Sequence, residues 1–160
     1  KILFVGRLEE DAGVLTYLKT LQTLKKRKVS FEFEACGNGS LRSLVEQWGK
    51  VHGFVPDLQA YLTGSDLVFA SSYLSILEAF ASKKLVFSTY DNPLKEDYLK
   101  MAPFSKYLAI EKDPEKLADK ILFYIKNPNE GDGIVKQAYE WVRGETWDKV
   151  ANLYLRLWKV

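Results

Sequence analysis

The chain has 160 residues, enough for one domain with a single substantial core. Hydrophobic residues make up 47% and charged residues 28%, ordinary for a soluble globular protein, and a formal net charge of +2 argues against a nucleic-acid partner. A single cysteine, Cys36, excludes an internal disulfide framework and any multi-cysteine metal site.

Taken in order, the chain opens on an apolar strand, ILFVG (2–6), with no initiator methionine or leader before it, which points to a piece of a longer protein. A helix follows with Val14, Leu18, Leu21 and Leu24 on one face, ending in the basic run Lys25–Lys28, a solvated helix end favoured by the helix dipole. VSFEFEAC (29–36) is the next strand, with Cys36 as a small core residue, and a helix is expected over 40–48. KVHGFV (50–55) reads as a strand that leads to a short helix near 58–62. His52, the only histidine, stands at no nucleophile spacing and is expected to be structural. DLVFA (66–70) is a strand, LSILEAFAS lies on the helix after it, and LVFST (85–89) is a further strand. The uncharged apolar stretch through 67–77 is far short of the ~20 residues that span a bilayer, so no transmembrane segment is expected and the location reads as cytoplasmic. YLAIE (107–111) is a strand, and Asp113-Pro114 caps a helix with Leu117, Ile121, Leu122 and Ile125 inward. NPNEGDG (127–133) is the strongest loop signal. Trp147, Val150, Ala151, Tyr154, Leu155 and Trp158 then share one helix face, which either docks on the core or meets another domain.

Alternating strands and helices mean an α/β fold, a parallel sheet with helices on both faces. Ligands of such sheets bind at the carboxyl ends of the strands, so the loops at 6–13, 37–40, 53–57 and 70–73 carry the candidates. Gly6-Arg7 offers a tight turn and a permanently charged fork suited to a diphosphate. Gly37-Asn38-Gly39 is a glycine turn in which a ligand can approach backbone, but Arg42 stands where a dinucleotide fingerprint needs its third glycine. A helix beginning after Ser71 or Ser72 aligns Ser71, Ser75, Glu78 and Ser82 in a polar stripe, opposite Tyr73, Ile76, Leu77 and Phe80. That stripe either faces solvent or lines the crevice above the sheet, where a helix start meets phosphate and an acid two turns along meets sugar hydroxyls.

In order, FVGRLEEDAGV, GNGSLRSLV, HGFVPDLQAYLTGSDLVFASS, LSILEAFASKKLVFST and TWDKVANLYLRLW resemble the C-terminal, donor-binding domain of family-four (group 1) retaining glycosyltransferases of GT-B architecture. The resemblance runs over nearly all of residues 1–160 and implies a single Rossmann-like domain that binds a nucleoside-diphosphate sugar, such as a UDP-sugar. It also implies an absent N-terminal acceptor domain, hexosyl transfer with retention, inactivity of this domain alone, and no metal or other cofactor. By the same resemblance Arg7 grips the diphosphate, Glu78 holds the ribose hydroxyls, and Leu74 and Ser75 open the helix, after Ser72, that approaches the phosphates. Phe54 and Val55 match the segment that contacts the base. Three positions depart from the family pattern: Ala12 replaces a lysine, Ala70 replaces the first glutamate of a Glu-x7-Glu pair, and Ser71-Ser72-Tyr73 replaces Gly-Phe-Gly.

Overall fold

A computed structural model describes residues 1–158. Six strands, β1 (Ile2–Val5), β2 (Phe33–Cys36), β3 (Lys50–Val51), β4 (Leu67–Phe69), β5 (Leu85–Ser88) and β6 (Leu108–Ile110), form one sheet in the order β3-β2-β1-β4-β5-β6. All neighbouring pairs run parallel. The near-continuous apolar runs of these strands follow from cover on both faces. Alternate residues divide between two cores: Ile2, Phe4, Phe69 and Phe87 point to one side, and Leu3, Val5, Val68 and Val86 to the other. Helices α1 (Val14–Lys26) and α6 (Pro114–Lys126) cover the first side. Helices α4 (Tyr73–Ala81), α5 (Pro93–Met101) and α7 (Pro128–Val142) cover the second. Strand order reverses between β1 and β4, so the loops leaving those two strands part and open a crevice at their carboxyl ends.

The helix expected over 40–48 is only α2 (Arg42–Val45), because Gly49 is pressed onto the Phe33 carbonyl and the chain must turn into the sheet there. The strand at 50–55 ends early: His52 still donates to the Ala35 carbonyl, but Gly53 turns at φ 72° and bridges back to Gly37. Helix α3 (Gln59–Thr63) follows. The basic run after α1 is solvated only in part, since Arg27 pairs with Asp119 and Glu115 of α6. Asp113 caps α6 by accepting from the backbone of Glu115 and Lys116, and Leu117 and Ile121 are buried, but Ile125 lies outside the core.

Two larger corrections concern the chain's last part. NPNEGDG is not a loop; it forms the first two turns of α7, with Pro128 at a position where a missing N–H costs nothing. Gly131 packs that helix onto Leu85 and Tyr124, and its fold-dependent burial outweighs low helix propensity. Helix α8 (Trp147–Trp158) carries the expected apolar face but does not dock on the core, and none of its residues is buried. Periodicity reports that a face is apolar, not what covers it. Among the described residues no helix is long and apolar enough to cross a membrane.

Candidate nucleotide-binding site

The crevice has a volume of about 640 Å³ and gathers the loops after β1, β2, β3 and β4. The nine residues expected to bind a nucleotide sugar line it: Gly6, Arg7, Gly37, Phe54, Val55, Ser72, Leu74, Ser75 and Glu78. Its floor is made by close approach of two strand ends. Gly6 donates to the Cys36 carbonyl at 3.1 Å, and a Cβ at Gly37, whose φ is +156°, would lie 1.8 Å from the Gly6 oxygen. Only glycine permits that contact.

One wall is α4. Ser72 precedes it in an extended conformation and makes no side-chain cap; its hydroxyl instead lies 2.6 Å from that of Ser75. The first backbone N–H groups of α4 are therefore free of a side-chain acceptor at the point where the helix dipole favours an anion. Beneath them Ser71 is buried and pinned, its hydroxyl 2.6 Å from that of Tyr17, which also lies 3.2 Å from the Phe87 carbonyl. Thr89 completes the knot with its backbone N–H on Tyr17, and burial pushes the Tyr17 pKa up, so the phenol stays neutral. Ser71 and Ser75 are thus buried, which corrects the idea of a wholly solvent-facing stripe. Tyr73, expected inward, is 39% exposed and rests edge-on against Phe104.

Glu78 stands two turns along the same helix at the crevice wall, where desolvation alone raises its carboxyl above the usual range. Its carboxylate borders the cavity with acceptor capacity to spare. Arg7 leaves β1 largely exposed and donates from Nη2 to Asp11 at 2.5 Å, so its charge is already partly answered. Ala12, at the end of the 3-10 turn Glu10–Ala12, also borders the crevice. Phe54 projects at the mouth, 90% exposed, with half-buried Val55 beside it. Ala70 is fully buried behind β4 and cannot contribute to the cavity.

Two residues take the structural roles expected of them. His52 sets Nε2 2.9 Å from Glu34 and packs its ring on Tyr61. Cys36 is buried, and burial pushes its thiol up to about 11, which leaves it protonated and unreactive. One crevice residue went unread in the sequence, Lys95 of α5. The signal existed, since Asn92-Pro93 repeats the cap-and-proline pattern of Asp113-Pro114, and Asn92 accepts from the Lys95 backbone at 2.9 Å.

The model of the family described as glycosyl transferases group 1 matches residues 1–141. Among solved structures, a mutant of S. aureus TarM, in complex with fondaparinux, alpha-GlcNAc-glycerol and UDP, is 18% identical over 100% of this chain and 36% of its own, with a TM-score of 0.78. The pneumococcal O-GlcNAc transferase GtfA, in complex with UDP and GlcNAc, is 13% identical over 98% of this chain and 34% of its own, with a TM-score of 0.73. The C-terminal domain of LpcC from Francisella tularensis, a group 1 glycosyl transferase, is 19% identical over 89% of this chain and 84% of its own, with a TM-score of 0.67. At such identities the likeness is one of fold, and this chain spans 34% of GtfA and 36% of TarM. No curated protein matches the chain. The six-stranded sheet is the Rossmann-like fold of the C-terminal domain of GT-B glycosyltransferases, and the chain belongs to the glycosyl transferases group 1 family.

Proposed function

We propose that the crevice binds a nucleoside-diphosphate sugar, a UDP-sugar by preference, and that the whole protein transfers the hexosyl group to an acceptor with retention of configuration. One juxtaposition carries the reading: the uncapped start of α4, the Arg7 guanidinium and the Glu78 carboxylate line a single cavity at the strand-order reversal. The helix start and Arg7 take the diphosphate, Glu78 accepts from the ribose hydroxyls, and Phe54 and Val55 border the base. Bond breaking between the sugar and the diphosphate then leaves negative charge on an oxygen already facing donors, and catalysis is electrostatic stabilisation of that leaving group. No metal or other cofactor is assigned a step. The acceptor would come from a second, N-terminal domain, and the setting would be cytoplasmic.

A second reading is a nucleotide-sugar-binding module without transfer activity. Ala12, the buried Ala70 and the pairing of Arg7 with Asp11 favour it, because each subtracts charge from the reacting end of the cavity. A thermal-shift panel of UDP, GDP, ADP and their sugars tests the binding step, with the largest rise expected for the uridine nucleotides. No shift with any nucleotide would contradict both readings. Donor binding by the full-length protein with neither transfer nor donor hydrolysis would select the second.

A further inference from the structure

We propose that Lys95 is the second diphosphate-binding cation of this crevice, filling from α5 the role that a lysine at position 12 would fill. The inference rests on the nucleotide-binding reading above and names a residue that reading does not use. Three observations carry it.

Lys95 borders the same cavity as Arg7 and Ala12, although it comes from an element on the other side of β5 in sequence. It lies in the first turn of α5, two residues after Pro93 and three after the Asn92 cap. A cation there opposes the helix dipole, which favours acids in a first turn, so helix stability does not account for a lysine at this position.

Its ammonium is also left without a direct carboxylate partner among the described residues. Arg7 is held by Asp11, whereas the Lys95 ammonium takes part in no ion pair among the described residues. The ammonium lies 4.9 Å from the centre of the Tyr98 ring, which steadies the side chain without neutralising it. Desolvation lowers its pKa, opposed by the nearby Asp11 and Asp91 and reinforced by Arg7. A half-buried ammonium beside a guanidinium has every electrostatic reason to receive an anion, and a diphosphate would satisfy both cations together.

Calorimetric titration tests this with UDP, inorganic pyrophosphate and uridine against the parent chain, Lys95→Met, Lys95→Arg, Ala12→Lys and the double variant Lys95→Met/Ala12→Lys. Lys95→Met is expected to weaken UDP and pyrophosphate about tenfold and to leave uridine unchanged. Lys95→Arg, which keeps the charge, should stay close to the parent. The double variant should regain most of the loss, and Ala12→Lys alone should add less to the parent than it restores there. Unchanged UDP and pyrophosphate affinity in Lys95→Met would overturn the assignment while leaving the nucleotide site intact. A loss in Lys95→Arg as large as in Lys95→Met would trace the effect to packing on Tyr98 and also overturn it. A parent chain that takes up neither UDP nor pyrophosphate would instead overturn the nucleotide-binding reading, and Lys95's role with it.

Discussion

Glu78 is a carboxylate held where the fold gains nothing from it. Desolvation by the crevice walls raises its pKa, and among the described residues no cation offsets that effect. A carboxyl whose pKa is raised on folding binds its proton more tightly in the folded state, so its contribution to stability is lost as pH rises through the folded value. At pH 7 the charged group therefore works against folding. Glu78→Gln is expected to leave the melting temperature equal or slightly higher while weakening UDP by roughly 1–3 kcal/mol, with pyrophosphate unaffected. The same protonation gives the pH dependence: UDP affinity should fall as pH drops through the raised Glu78 pKa, and the fall should vanish in Glu78→Gln. Paired UDP and pyrophosphate titrations with thermal unfolding at pH 7 check both halves. A lower melting temperature together with equal UDP affinity would place Glu78 in the scaffold.

At the scale of elements, the strands and the loops that leave them were legible because sheets covered on both faces need apolar runs, and those runs end at glycine or serine turns. Gly6, Gly37 and Ser72 could be placed at strand ends from this pattern alone, and all three line the crevice. Two helices were not legible. Helix α5 begins at Asn92-Pro93 but carries Lys95, Glu96 and Asp97 and buries only Leu99, with Leu94, Tyr98 and Met101 exposed, so its apolar period does not mark a core face, and Lys95 was lost with it. Helix α7 was hidden by local composition, since Asn127, Gly131 and Gly133 signal a loop until tertiary packing overrides them. Helix α8 was recognised, but its partner was not. The α7 correction has its own test. Gly133 lies in the helix with open space where a Cβ would be. Gly133→Ala is expected to stabilise the domain by about 0.5–1 kcal/mol. For a domain of this size that is a rise of about 2–4 °C in melting temperature. No gain on thermal unfolding would restore the loop reading.

For the whole molecule, the sheet order fixes where the chemistry sits. Reversal between β1 and β4 sends α1 and α4 to opposite faces, and the cleft left between their loops collects donors, the carboxylates of Asp11 and Glu78, and the exposed Phe54 at its mouth. That mouth is open, since Phe54 is 90% exposed. A cavity walled on one side holds a nucleotide loosely and leaves the sugar's reacting carbon in water, so this chain alone should turn over no donor with any acceptor. Product analysis with UDP-sugars checks that, and robust transfer by the chain alone would remove the need for a second domain. The central claim, a site for the diphosphate and ribose of a nucleotide, is tested most directly by calorimetric titration of UDP at low salt with uridine as the control. Binding of UDP nearer millimolar than micromolar, a free energy of about 4–6 kcal/mol, with uridine much weaker, is the expected result. No uptake of UDP at several times that concentration, or equal affinity for uridine, would contradict it.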